Sequence, residues 1–146
     1  MFSSVITNQL VIASALIAAT FLVHAVFVAF ISAFLRRRQP TGRGIADLFR
    51  DVIVMVAISV LLLIAHFSSI WMWAICYLHL GAFIDLETAL YFSSATYTTL
   101  GYGDVLPPQE WRILSGAMAA NGLLLFGLSA AILVDASVRI RLGGDN

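Results

Sequence analysis

Three apolar stretches, 11–35, 52–80 and 113–134, are each long enough to cross a lipid bilayer. A helix needs about 20 consecutive apolar residues to span the hydrocarbon core. Within that core every backbone polar group must be satisfied internally, so such stretches are expected to be helices. The first carries His24 as its one ionisable residue, and the second carries His66 and His79. The third has none, and Asn121 is its most polar side chain. Composition agrees: 61% of residues are hydrophobic and 11% charged, against about 25% charged in soluble domains. The second stretch exceeds what one crossing requires, so tilt or a protruding outer end is expected, with Trp71, Trp73 and Tyr77 in an aromatic belt. The first stretch has no basic segment before it, since the first arginine is Arg36, and is read as a true span rather than a cleaved signal. Cys76 is the single cysteine, which excludes an internal disulfide.

Orientation is read from the arginines. All eight basic residues are Arg; Arg36, Arg37, Arg38, Arg43 and Arg50 follow the first span, and Arg139 and Arg141 follow the third. Only Arg112 lies between spans two and three, beside Asp85, Glu87, Asp104 and Glu110. The positive-inside rule places the first loop and the C-terminus in the cytoplasm and the N-terminus outside. The contiguous Arg36-Arg37-Arg38 is a topology anchor with contacts to anionic lipid. A voltage sensor would need arginines spaced along a membrane helix, so none is expected here. The loop, 36–51, contains a turn at Gln39-Pro40-Thr41-Gly42 and then Ile45, Leu48, Phe49 and Val52 at helical spacing. That pattern fits an interfacial helix or a cytoplasmic extension of span two equally well. No extended basic surface exists to bind nucleic acid.

The chemistry lies between spans two and three. Asp85 is an N-cap and Glu87 a first-turn acid, so a helix is expected over 85–98. At 1.5 Å per residue it reaches roughly 20 Å, too short to cross, so it must dip into the membrane and leave again on the same side. Its C-terminal partial negative charge would favour a cation near the membrane centre. Thr98-Thr99-Leu100-Gly101-Tyr102-Gly103-Asp104 follows. Non-helical backbone at that depth is tolerated where it is buried or lines a cavity. Glycine reaches positive φ at little cost, so Gly101 and Gly103 allow successive carbonyls to turn to one side.

This segment resembles the pore loop of potassium channels, whose filter reads Thr-Val-Gly-Tyr-Gly followed by Asp. The likeness continues through Trp111 and Gly122-Leu-Leu-Leu-Phe126-Gly127-Leu-Ser-Ala-Ala, similar to the inner helix of small two-span bacterial channels. It covers 52–138, and the first helix, 1–35, has no counterpart in that pattern. The resemblance implies an all-α membrane protein: outer helix 52–80, re-entrant pore helix 85–98, extended filter 99–103, inner helix 109–138 and a short tail, 139–146. It implies that K⁺, the permeant ion rather than a cofactor, binds the carbonyls of Thr99, Leu100, Gly101 and Tyr102 and the Thr99 hydroxyl, with Thr98 and Gly103 flanking. One chain supplies a quarter of each carbonyl ring, so a homotetramer is required.

Two positions depart from the family. Leu100 stands where Val or Ile is usual, leaving the carbonyl in place but changing the packing behind it. Ala95 stands where some bacterial relatives carry a buried Glu that bonds the outer Asp, so Asp104 needs another partner. Voltage-gated relatives supply a Trp from the position matching Tyr91, and a Tyr91 hydroxyl–Asp104 bond is expected. Gly122 matches the inner-helix glycine hinge and is read equally as a gating bend or a close-packing residue. Phe126, Ala130 and Asp135 fall where inner-pore lining is expected; Asp135 either pairs with Arg139 or rings the inner mouth. Asn121 is expected to bond a neighbouring helix. His24 and His66 are expected to be neutral imidazoles hydrogen-bonded between helices rather than pH sensors.

The sequence contains no nucleophile–base set, phosphate loop or metal-ligand cluster, so no catalysis is expected. The expected function is passive K⁺ transport in a bacterial-type plasma membrane. The alternatives are a weakly selective cation channel and a non-conducting scaffold for other subunits. With a dozen or so residues after the third span, the expected modes of opening are constitutive, or by lipid, pH, membrane tension or a separate regulatory subunit.

Overall fold

The computed structural model describes residues 2–37 and 44–142. Three long helices carry the fold: α1 (Phe2–Arg37), α2 (Ile45–His79) and α4 (Arg112–Leu142). The short α3 (Leu86–Tyr97) and a single 3₁₀ turn (Gln109–Trp111) lie between α2 and α4. Helices long and apolar enough to cross a membrane cover Ile6–Arg37, Ile45–His79 and Gln109–Ile140. No strand occurs among the described residues.

α2 begins earlier than the apolar pattern implies. α2 starts at Ile45 and runs unbroken for 35 residues, roughly 50 Å against a hydrocarbon core of about 30 Å. Neither Gly nor Pro interrupts 45–52, and the Asp47 carboxylate accepts the Gly44 N–H at 3.2 Å, closing the first turn. The segment before span two is therefore an extension of α2 rather than a separate interfacial helix. The turn at 39–42, with Arg38 and Arg43, lies outside the described residues.

α1 packs along both α2 and α4. Near its N-terminus the Gln9 Oε1 accepts the Leu114 N–H of α4 at 3.1 Å, satisfying one of the donors that the start of a helix leaves open. Near its other end Ile31 and Leu35 pack with Ile58 and Leu62 of α2 and Ala136 of α4. α1 is thus parallel to α4 and antiparallel to α2. Arg36 and Arg37 end one helix at the same end of the bundle at which Arg139 lies on another.

Two apolar clusters make the core. One, around Trp73, Tyr77, Phe92, Tyr97, Leu114 and Met118, draws on all four helices; the other holds Ile31, Ile58, Leu62 and Ala136. This corrects the expected aromatic belt. Trp71 is 45% exposed, but Trp73 and Tyr77 are completely buried. Residues two apart on a helix point to nearly opposite sides, so Trp71 and Trp73 cannot share a face. Tyr77 instead joins Phe83 and Phe92, and its hydroxyl lies 3.2 Å from Ser115 Oγ.

Candidate functional site

α3 is placed by its caps and by its two neighbours. Asp85 Oδ1 accepts the Thr88 N–H at 2.8 Å and Oδ2 accepts the Thr88 hydroxyl at 2.8 Å, the N-cap that the sequence indicates. These bonds, the backbone one first, hold the Asp85 carboxyl below its ordinary range. From there α3 descends between α2 and α4, and Tyr97 at its C-terminus reaches His66. His66 sits about a dozen residues before the end of α2, roughly 20 Å into the bundle by the helical rise. The chain dips to mid-depth and comes back to the end from which it started.

The return segment has unusual backbone geometry. Positive φ occurs at alternate residues: 61° at Thr99, 52° at Gly101 and 78° at Gly103. The Thr99 N–H donates to Thr96 O and the Gly101 N–H to Ala95 O, both at 3.0 Å. Two amides of the segment are therefore turned back onto the end of α3. An ordinary strand alternates its carbonyls between sides, and alternating backbone handedness is what lets successive carbonyls face one way. Glycine accepts such φ values freely, but Thr99 is β-branched, so its conformation costs on the order of 1–3 kcal/mol. Nothing in the sequence signals that strain. The Thr98 hydroxyl donates to Ser94 O at 2.7 Å and locks the corner between helix and segment.

At the far end of the segment the Tyr91 hydroxyl donates to Asp104 Oδ2 at 2.7 Å, the bond expected once Ala95 offers no carboxylate. That bond is the main reason the Asp104 carboxyl sits below its ordinary range, and it raises the Tyr91 phenol in return. Ala95 lines a small cavity of about 90 Å³ behind the segment, together with Tyr91, Phe92, Thr96, Tyr102 and Asp104. Leu100 and Tyr102 project outward, 56% and 69% exposed.

The inner-helix residues divide. Gly122 is buried, and a Cβ there would overlap the Tyr97 carbonyl oxygen. Close approach of α4 to the end of α3 thus requires glycine whether or not the helix bends. α4 is continuous through this position. Phe126 stacks on His66, centroids 4.0 Å apart and planes at 14°, so one of its faces is turned into the bundle. Ala130 is exposed. Asp135 accepts from Arg139 Nε at 2.8 Å, the local ion pair.

A layer of polar side chains separates the two apolar clusters, and the sequence reading identified only part of it. Asn121 Nδ2 donates to Thr20 Oγ1 of α1 at 2.8 Å, the interhelical bond expected of Asn121. His66 Nδ1 lies 3.3 Å from the Tyr97 hydroxyl and Nε2 lies 2.9 Å from Ser129 Oγ. Hydroxyls donate and accept, so either neutral tautomer of His66 is satisfied. His24 donates through Nδ1 to Thr20 O at 3.1 Å and meets the His66 ring edge-on at 4.7 Å. Gln9, Thr20, Tyr97 and Ser129 were not singled out from the sequence. A signal existed: 9, 20 and 31, and likewise 13 and 24, are three helical turns apart, so they share one stripe of α1.

Among the described residues no cluster of His, Cys, Asp or Glu could hold a metal ion. A family model described as an ion channel matches residues 53–139. Neither a curated protein nor a solved structure matches the chain.

Proposed function

The chain belongs to the ion-channel family, and from that premise we propose that it is a potassium-selective channel whose filter is 99–103. The alternation of positive φ at Thr99, Gly101 and Gly103 carries this reading. With the amides of Thr99 and Gly101 bonded to α3, the carbonyls of Thr99, Leu100, Gly101 and Tyr102 are free to replace the water around K⁺. The Thr99 hydroxyl adds an oxygen at the inner end. Four chains about one axis complete the rings, and the exposed Leu100 and Tyr102 are the surfaces that neighbouring copies would cover.

In this arrangement α3 is a re-entrant pore helix whose negative end faces the ion. Four Asp104 carboxylates, kept ionised by Tyr91, concentrate cations at the outer mouth. The positive-inside rule, applied to Arg36, Arg37 and Arg139, supports a cytoplasmic end there, with the N-terminus and the mouth outside the plasma membrane. The ion moves passively, down its electrochemical gradient. Gating does not use a voltage sensor, because the arginines cluster at helix ends.

Uptake of ⁸⁶Rb⁺ and ²²Na⁺ by liposomes containing the purified protein tests the reading. Rb⁺ uptake that K⁺ outcompetes and Na⁺ does not is expected. Equal uptake of both ions would make it a weakly selective cation channel, and uptake matching empty liposomes would make it a scaffold.

A further inference from the structure

α1 lies outside the matched region, yet its most polar buried residues all face the channel module. Gln9, Thr20 and His24 are 2%, 0% and 0% exposed, while Leu22 and Val26 between and beside them are 67% and 62% exposed. A helix serving only as an anchor gains little from polar groups in an apolar seam, where each is costly unless bonded. One is not fully bonded: His24 Nε2 is buried without a hydrogen-bond partner among the described residues. An orphaned acceptor of this kind costs about 1–3 kcal/mol, which the ring contact with His66 has to offset.

Both mid-helix residues lead to Tyr97. Thr20 holds Asn121, and the next residue, Gly122, abuts the Tyr97 carbonyl. His24 meets His66, whose Nδ1 reaches the Tyr97 hydroxyl and whose Nε2 is fastened to Ser129. Tyr97 is the last residue of α3, between the Ala95 and Thr96 carbonyls that accept the amides of 101 and 99 and the Thr98 corner. Its main chain and its side chain are thus each gripped by a route that starts on α1.

We propose that Thr20 and His24 are positioning residues for the filter, acting through Asn121–Gly122 and through His66 on Tyr97. α1 is then part of the conduction machinery and not only a lipid-facing cover. The proposal rests on the reading of 99–103 as the filter for its functional consequence, but not for the mechanical coupling itself.

Hydrogen–deuterium exchange of peptides covering 95–104, on full-length protein in nanodiscs, tests the coupling without requiring conduction. Thr20→Val keeps the side-chain shape and removes the hydroxyl; His24→Ala removes the ring that meets His66. Each should speed exchange of the Thr99 and Gly101 amides about fivefold, the scale of one lost interhelical contact, with unchanged size-exclusion elution. Thr20→Ser and His24→Phe, which keep the hydroxyl and the ring, should show the native rate, and Leu22→Ala on the exposed face should leave it unchanged. Where an α1 variant does not yield folded protein, Asn121→Ser, too short to reach Thr20, must give the same acceleration. Native exchange in Thr20→Val, His24→Ala or Asn121→Ser, or equal acceleration in Leu22→Ala, overturns the proposal. K⁺ over Na⁺ permeability, measured in parallel, should fall in the two α1 variants and recover in the conservative pair. A native protein that conducts both ions equally would defeat the filter reading while leaving the exchange result to judge the coupling.

Discussion

The 99–104 segment and the α1 seam are opposite kinds of polar structure. In the segment, backbone carries the chemistry, φ values are strained or glycine-dependent, and the side chains of Leu100 and Tyr102 stand exposed. In the seam, side chains carry the chemistry, the backbone is regular helix, and Thr20, His24, Asn121 and Ser129 are buried within one chain. The seam packs inside the single chain, whereas Leu100 and Tyr102 leave the segment open at its surface. Substitutions should therefore separate the two. Changes in the segment should alter conduction directly while sparing the single-chain fold, and changes in the seam should reach conduction only through the packing of α3.

The largest effect is expected at Gly101. Alanine at φ 52° is strained by roughly 1–2 kcal/mol and relaxes by leaving the left-handed region, which turns a carbonyl away. Gly101→Ala should reduce Rb⁺ uptake to that of empty liposomes while elution and helix content stay native. Gly122→Ala makes the opposite test. Its methyl group overlaps the Tyr97 carbonyl, a clash with backbone that costs about 3 kcal/mol. Thermal denaturation should show a clear loss of stability, and native stability would break the claim that α4 touches α3 here.

Much of this was legible in the sequence because local rules dictated it. Asp85 two residues before Glu87 marked the start of α3, three long apolar runs marked the spans, and the loss of a carboxylate at Ala95 led to the Tyr91–Asp104 bond. What escaped depends on how helices face one another. Trp73 and Tyr77 read as membrane-interface aromatics because a uniformly apolar helix hides which side is inner. α2 read as starting near 52 because charged Asp47, Arg50 and Asp51 broke the apolar run without breaking the helix. Gly122 read as a hinge or a packing residue until the Tyr97 carbonyl beside it supplied a reason for glycine.

Smaller effects sharpen the contrast at the rim. Tyr91 keeps the Asp104 carboxyl below its ordinary range, so that carboxylate is neutralised only at lower pH than an ordinary one. The Tyr91–Asp104 bond accordingly stabilises the outer end above the ordinary carboxylate pKa and is lost as pH falls through the depressed one. Tyr91→Phe should move acid inhibition of uptake to higher pH, read from the midpoint of a pH titration; an unmoved midpoint would detach Asp104 from conduction. Smallest of all is Asp135→Asn. The Asp135–Arg139 pair is exposed, so its loss should cost about 0.5 kcal/mol or less in stability, again by thermal denaturation.

The central claim is that alternating handedness across 99–103 builds a K⁺ filter. The reversal potential of purified protein in a planar bilayer, with equal K⁺ on one side and Na⁺ on the other, tests it most directly. A shift of at least about 59 mV in the direction of K⁺ preference, one decade of selectivity, is the expected result. A reversal at zero, with current flowing, would contradict it.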